Sequence, residues 1–142
     1  MLNPYYITGL IEGEGWFGVS IAVLSGRKMN AGAQVSLNFG INMNGRELEL
    51  IQRIKCYFDC GTLEIRNNGM VQYRVRSFRD VKDKIIPFFD IYELQGGKKK
   101  DFEMFKIIAT LMEEKKHLTV EGLNDIKNIR KNMHVYGFLK EE

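Results

Sequence analysis

The stretch Ile7-Thr8-Gly9-Leu10-Ile11-Glu12-Gly13-Glu14-Gly15 decides how this chain is interpreted. Two glycines, Gly9 and Gly13, lie about one helical turn apart, and interior glycines cost a helix stability unless something compensates for them. Small residues at this spacing let a second helix backbone come close. Because the rest of the helix is apolar, we expect it to be buried against a partner helix. The predicted contact surface consists of Tyr6, Gly9, Leu10 and Gly13.

The same stretch ends in two acidic residues, Glu12 and Glu14. The C-terminal end of a helix carries the negative end of its dipole, which disfavours carboxylates there. Residues two apart do not share a helical face, but a two-fold copy of the helix would bring two Glu14 carboxylates together. They would repel unless a cation lay between them. Mg²⁺ suits hard oxygen ligands, and a metal-bound water beside a phosphate makes a hydrolytic site. The alternative is two exposed acids in a glycine-rich turn.

The flanking sequence predicts a helix followed by two strands. Asn3 is a good N-cap and Pro4 suits the first helical turn, so a helix over 5–13 is expected, ended by Gly13 and Gly15. Apolar residues then alternate with small or polar ones over 17–23 and again over 34–42. Each pattern is typical of a strand with one buried face, and residues 25–32 would form the hairpin loop.

The remaining chain returns to helical spacing, with one further hairpin. A helix is expected over 44–59, then strands in which Leu63, Ile65 and then Val71, Tyr73 and Val75 face the core. The segment 67–69, Asn-Asn-Gly, predicts a tight turn between them. Helices are expected over 81–92, broken by Pro87, over 100–114, and over 119–132 with Thr119 as cap. This order predicts one α+β domain over 1–142, with an antiparallel four-stranded sheet covered by helices on one face.

Alternation also predicts the composition of the uncovered sheet face. It is polar, and three arginines concentrate in the second hairpin. Arginine and glutamine read guanine and adenine edges in the major groove of DNA, whereas a solvated sheet face is the alternative. The absence of lysine from these strand positions favours recognition. The predicted DNA-contacting residues are Ser20, Ala22, Gln34, Ser36, Asn38, Gly40, Asn42, Thr62, Glu64, Arg66, Gln72, Arg74 and Arg76.

Bulk properties limit the other classes of function. A net charge of +3 does not by itself demand a nucleic-acid partner. No apolar run approaches the length of a membrane span, and the N-terminus lacks the pattern of a signal peptide, so no membrane partner is expected. The two cysteines, Cys56 and Cys60, cannot build a disulfide framework. We expect both to be reduced core residues in an intracellular, reducing compartment.

The sequence resembles the LAGLIDADG homing-endonuclease family. The segment 7–15 resembles the motif itself, with Glu at both acidic positions, and 16–21, 36–41, 85–89 and 117–123 resemble further family segments in order. The resemblance implies a saddle-shaped αββαββα fold that binds a long double-stranded DNA site in the major groove. It also implies Mg²⁺-dependent cutting of both strands of a roughly palindromic site to leave 3′ overhangs, as in intron or intein homing. Mn²⁺ or Ca²⁺ could replace Mg²⁺ in a crystal. Because one motif occurs here, the implied state is a homodimer, in an organelle (mitochondrion or chloroplast), a prokaryote or a phage.

The resemblance also assigns roles to single residues. Glu14 matches the metal-binding acid, Gly13 the residue whose carbonyl can face the metal, and Lys98 a basic residue near the cut phosphate. The alternative for Lys98 is one cation of a solvated run, 98–100. Met43 stands where many members carry a glutamine that orients water, and a thioether is only a weak acceptor. Two alternatives therefore stay open: a non-cleaving, maturase-like DNA or RNA binder with intron RNA as partner, or one half of a two-motif enzyme.

Overall fold

The computed structural model describes residues 1–23 and 33–134, and the expected hairpin loop over 25–32 lies outside them. The element order is helix, hairpin, helix, hairpin, helices, as expected. The elements are α1 (Pro4–Glu14), β1 (Gly15–Val23), β2 (Ala33–Asn44), α2 (Leu48–Phe58), β3 (Thr62–Ile65), β4 (Met70–Val75), α3 (Phe78–Asp80), α4 (Ile86–Ile91), α5 (Lys98–Glu113) and α6 (Val120–Lys131).

The four strands form one antiparallel sheet in the order β1-β2-β4-β3. Gly15 pairs with Ile41 at one end of the first hairpin, and Ala22 pairs with Gln34 toward the other. The last residues of β2 pair with β4 instead, so β2 joins the two hairpins. The α+β class and the antiparallel four-stranded sheet predicted from alternation are confirmed.

The helices cover one face of this sheet, where the aromatic residues concentrate. The ring of Phe17 lies 5.3 Å from each of Phe89, Phe102 and Phe105, centroid to centroid. Phe39 packs 5.5 Å from Phe17 on the neighbouring strand. These side chains are almost fully buried, and burying an aromatic side chain contributes roughly 1.5–3 kcal/mol. The core therefore binds β1 and β2 to α4 and α5.

The second hairpin is only partly covered. Val71, Tyr73 and Val75 of β4 are buried as predicted, but Ile65 of β3 is 64% exposed. The prediction that Ile65 faces the core was wrong, because β3 is the edge strand and the helical layer does not reach its end. The predicted turn is present, and Gly69 adopts φ 83°, a conformation that glycine tolerates best.

The cysteines differ from the prediction too. Cys56 is exposed and Cys60 is half-buried, because the buried stripe of α2 runs through Ile51, Ile54 and Phe58 and leaves position 56 on the opposite side. Burial raises the pKa of the Cys60 thiol. Neither residue forms a disulfide within the described ranges.

Pro87 does not break the helical segment that contains it. The chain passes from α3 through one π-helical stretch, Val81–Ile85, into α4. The Ile86 N–H donates to the carbonyl of Val81, five residues earlier. Because proline lacks an N–H and its ring crowds the preceding turn, we attribute the widened turn to Pro87. The helix therefore continues where the sequence predicted an interruption.

The helix α5 begins two residues earlier and ends one residue earlier than predicted, whereas α6 begins one residue later and ends one residue earlier. Thr119 caps α6 as expected, its hydroxyl accepting a hydrogen bond from the Gly122 N–H at 3.0 Å. Past the end of α6, His134 donates its backbone N–H to the buried carboxylate of Asp101 at 2.8 Å, and its Nδ1 lies 2.9 Å from the same carboxylate. This contact ties the end of α6 to the start of α5. In the described ranges, no helix has the length and apolar character required to cross a membrane.

Candidate nucleic-acid interface and active site

One side of α1 lies open in the single chain. Ile7, Thr8 and Ile11 are buried against the domain, while Tyr6, Gly9 and Gly13 are exposed and Leu10 is half-buried. A Cβ built on Gly9 or on Gly13 would meet no atom within 4 Å. Packing among residues 1–23 and 33–134 therefore does not require these glycines. An open helix face with two small residues one turn apart permits close approach by another helix.

The first acidic residue of the motif, Glu12, forms hydrogen bonds with the loop between α4 and α5. Its carboxylate accepts hydrogen bonds from the backbone N–H groups of Gln95 and Gly96, the latter at 2.7 Å. A Cβ on Gly96 would come within 3.0 Å of this carboxylate, so the approach is tight. Glu12 thereby fixes the loop that leads directly into α5.

The second acidic residue, Glu14, is the last residue of α1 and is exposed. Within the described ranges it makes no hydrogen bond or ion pair, in contrast with Glu12. Its neighbour Gly15 accepts a hydrogen bond from the Lys98 ammonium group at 2.5 Å. The half-buried Lys98 ammonium group at the start of α5 therefore contacts the residue that follows the exposed Glu14 carboxylate at the end of α1.

Lys98 occupies a position that a helix disfavours for a cation. It lies in the first turn of α5, where the helix dipole is positive. One of the three N–H donors of its ammonium group forms a hydrogen bond to the Gly15 carbonyl. The remaining donors can reach an anion near the end of α1. This arrangement distinguishes Lys98 from Lys99, which pairs with Glu93 at 3.7 Å as an exposed surface cation.

The residues at this end of α1 fit a divalent cation only in part. The Glu14 carboxylate is a hard oxygen donor with no partner among the described residues, as Mg²⁺ or Ca²⁺ requires. Within the described ranges, however, no group of three or more His, Cys, Asp or Glu side chains could hold a metal ion. A second contributor is needed, such as another carboxylate or phosphate oxygens.

Replacement of Glu12 by alanine should disturb this site from a distance. The loss of its carboxylate leaves the Gln95 and Gly96 N–H groups without their partner, and hydrogen bonds to a charged group contribute about 1.5–3 kcal/mol. We expect a lower melting temperature, because the loop that leads into α5 loses the carboxylate that fixes it. Thermal unfolding measures this change. A variant that unfolds at the parent temperature would contradict a role for Glu12 in fixing the loop.

The open sheet face is largely as predicted. Ser20, Ala22, Gln34, Asn42, Thr62, Glu64, Arg66 and Arg76 are exposed, and Ser36, Asn38 and Arg74 are half-buried. Two predictions were wrong in exposure. Gln72 is only 7% exposed because the Arg66 guanidinium lies over it and donates to its Oε1 at 2.7 Å. Gly40 is buried because the Trp16 indole covers it.

Trp16 is a residue of this face that the sequence analysis missed. A Cβ at Gly40 would lie 2.5 Å from the Trp16 ring, so only glycine fits beneath the indole. The Trp16 Nε1–H donates to Asn38 Oδ1 at 2.8 Å. This bond orients the Asn38 amide, and among the described residues its Nδ2 group remains available as a donor. Its place in the alternation of Gly18, Ser20 and Ala22 was the available signal.

Arg74 lies at the centre of the sheet, between β2 and β3. It pairs with Gly40 on one side and with Thr62 on the other. Its Nε is buried and has no partner among the described residues. The Trp16 indole covers Gly40, so Arg74 has an aromatic side chain rather than an open glycine on that strand. Arg74 is therefore a half-buried arginine near the centre of the open face, with a buried Nε that a ligand could engage.

Met43 has no polar group at the position where many members of the family that this chain resembles carry a glutamine. It pairs with Val71 and packs, half-buried, against the hydrophobic core. Its neighbour Asn42 is exposed on the open face. The Met43 side chain therefore contributes to the core and does not supply a polar group to the open face.

Comparison with known proteins agrees with this geometry. The family described as LAGLIDADG endonuclease matches residues 7–109. A protein of Neurospora crassa named "Probable intron-encoded endonuclease 3" is 35% identical over 136 residues, which is 94% of this chain and 25% of the relative. The chain thus spans about a quarter of that relative's length.

Two solved structures share the fold. I-SmaMI, bound to an uncleaved DNA target in the presence of calcium ions, superimposes with a TM-score of 0.89 at 32% identity, covering 94% of this chain and 45% of that one. The homing endonuclease I-TnaI gives a TM-score of 0.88 at 31% identity, covering 94% of this chain and 89% of that one. The chain belongs to the LAGLIDADG endonuclease family.

Proposed function

We propose that this chain is a single domain that supplies one half of a site-specific DNA endonuclease, in which two copies pair through α1. The observation that carries the proposal is the exposed Glu14 carboxylate beside Lys98, at the end of a helix whose outer face is open. The I-SmaMI structure with DNA and calcium supports both double-stranded DNA and a divalent cation as partners.

The open sheet face would lie in the major groove of one half-site. A two-stranded ribbon fits that groove, and arginine and asparagine side chains recognise base edges there. Trp16 orients the Asn38 amide and leaves its Nδ2 group available as a donor, so Asn38 is suited to acceptor atoms on a base. The Arg66 guanidinium keeps Gln72 from reaching outward freely, so Arg66 itself is the outward contact at that position.

The hydrolytic site would form where the two α1 helices end. Glu14 of each chain would hold Mg²⁺, with the Gly13 carbonyl as a further oxygen donor. A cation bound there would supply Lewis-acid chemistry for phosphodiester hydrolysis. Glu12 fixes the loop that begins α5, and Lys98 stabilises negative charge that develops on the phosphate. Cutting of both strands would leave 3′ overhangs across the narrow groove between the half-sites.

The partner of α1 would be a second copy of this chain. The near-complete coverage of I-TnaI favours a chain of this size as a functional unit. The 45% coverage of I-SmaMI favours instead a second motif-bearing half. Gel filtration separates the two, because only the first predicts a dimer of the isolated chain. As in the fungal intron-encoded relative, an intron is the proposed setting, in an organelle.

Selection of cleaved products from a randomised palindromic DNA library, with Mg²⁺ present, tests the proposal. We expect two-fold symmetric base preferences and 3′ overhangs in the products. Products that show no symmetry would contradict the homodimer. The absence of any cutting, with sequence-specific binding retained, would contradict the nuclease.

Replacement of Arg74 by alanine should relax base preference at one position of each half-site. Loss of a bidentate base contact costs about 1–3 kcal/mol of discrimination. Competition binding against every single-base variant of the selected site measures this. Uniform weakening against all sequences would show that Arg74 contacts only phosphate.

A non-cleaving, maturase-like binder is the second candidate. Met43 favours this candidate, because a methionine thioether is only a weak acceptor and cannot orient a water as a glutamine amide can. The cheap discriminating experiment is nicking, with Mg²⁺ present, of a DNA site selected by binding rather than by cleavage. A chain that binds DNA or intron RNA tightly but never nicks DNA fits this candidate.

A further inference from the structure

A groove of about 620 Å³ lies beside β1, outside the site described above. One wall belongs to the open sheet face and includes Ser20 and Asn38. The opposite wall is the C-terminal part of α6, with Lys127, Arg130 and Lys131. These three residues are spaced i, i+3 and i+4, so they share one helix face. The groove therefore joins a basic helix face to the surface proposed to read bases.

Arg130 holds this helix against the sheet. Its Nε–H donates to the Val19 carbonyl at 2.9 Å. Val19 belongs to β1, which is an edge strand of the sheet, and edge strands leave backbone groups without strand partners. The contact covers one such group and leaves the two terminal nitrogens of the guanidinium for another ligand. Arg130 is therefore already fixed in place before any ligand arrives.

The charge of this helix face is uncompensated in the part of the chain that the structure describes. Within residues 1–23 and 33–134, no carboxylate lies within 4 Å of the charged groups of Lys127, Arg130 or Lys131. By contrast, Lys82 and Lys106 on the helical layer pair with Glu113 at 3.2 Å and Asp90 at 2.6 Å. The sequence signal was a basic helix end, residues 127–131, with cations on one face.

We propose that Lys127, Arg130 and Lys131 form a phosphate-binding wall that contacts the DNA backbone flanking the groove read by the sheet. This inference rests on the proposed function. A backbone that runs past the edge strand β1 would meet all three cations, because they lie beside Ser20 and Asn38 of the reading face. Phosphate contacts of this kind fix register and orientation and carry no sequence information directly.

The test is the salt dependence of binding to a random-sequence DNA duplex, which needs no knowledge of the target. The double variant K127A/K131A leaves the Arg130 anchor intact. Each neutralised phosphate contributes about 0.9 to the slope of log affinity against log salt, so the slope should fall by about 1.8. Between about 50 and about 200 mM salt, the advantage of the parent should shrink roughly tenfold. The control K82A/K106A removes the same formal charge from the helical layer and should keep the parent slope.

Three outcomes would overturn the inference. If K127A/K131A keeps the parent slope while the parent binds and cuts, the wall is absent and the proposed function stands. If K82A/K106A lowers the slope equally, the effect is one of overall charge. If the parent itself does not bind duplex DNA, both this inference and the proposed function fail. Thermal unfolding of both variants confirms that the comparison is made on folded protein.

Discussion

Replacement of Glu14 by glutamine should abolish DNA cutting while sequence-specific binding persists. The variant keeps the size and the hydrogen-bonding oxygen of the side chain but loses the charge that would hold the cation. If the cation contributes several kcal/mol to the transition state, for example about 4 kcal/mol, the rate falls about 10³-fold. Single-turnover cutting and equilibrium binding on the selected DNA site measure the two effects separately.

The same change should not weaken the fold. Glu14 is the last residue of α1, where the helix dipole makes a carboxylate unfavourable by about 0.3–1 kcal/mol. The variant should therefore unfold at the same temperature as the parent or slightly above it. Glu49→Gln, an exposed glutamate at the start of α2, removes one charge far from the site and serves as the control. An E14Q protein that cuts at the parent rate would contradict the assignment of Glu14 to the metal.

The sequence predicted those parts of the structure that depend on local periodicity. Alternation identified β1 and β2, and the Asn3-Pro4 pair located the start of α1, where Asn3 accepts a hydrogen bond from Tyr5. Alternation also distinguished the covered sheet face from the open one. These features depend only on neighbours within a few residues, so a single sequence carries them.

Features that depend on contacts between distant segments were missed. Glu12 bonds to residues 83 and 84 positions later, and no local pattern distinguishes its role from that of Glu14. Ile65 is exposed because the helical layer ends short of the edge strand, and helix lengths relative to the sheet are a tertiary property. The indole of Trp16 and the guanidinium of Arg66 bury Gly40 and Gln72 from the side, which alternation alone cannot reveal.

The glycines of α1 give a prediction in which stability and association change in opposite directions. A Cβ at Gly9 meets no atom of the described residues within 4 Å, and alanine is more favourable than glycine in an exposed helix interior by about 0.8–1.0 kcal/mol. Gly9→Ala should therefore stabilise the monomer. Gly9→Leu should also fold, yet its side chain would separate two α1 helices that pack closely. Overpacking costs about 1–3 kcal/mol per site, so two copies should weaken the dimer at least roughly 30-fold.

Sedimentation velocity across a concentration series measures the dimer, and thermal unfolding at low concentration measures the monomer. Cutting should fall in parallel with the dimer, because the proposed site requires Glu14 from both chains to hold the cation. Asn124→Ala, at an exposed position of α6, raises helix propensity away from α1 and should stabilise the chain without changing its association. If Gly9→Leu associates and cuts as the parent does, α1 is not the contact between two copies. The open face of this helix would then need a different partner, and the two Glu14 carboxylates would have no route to a shared cation.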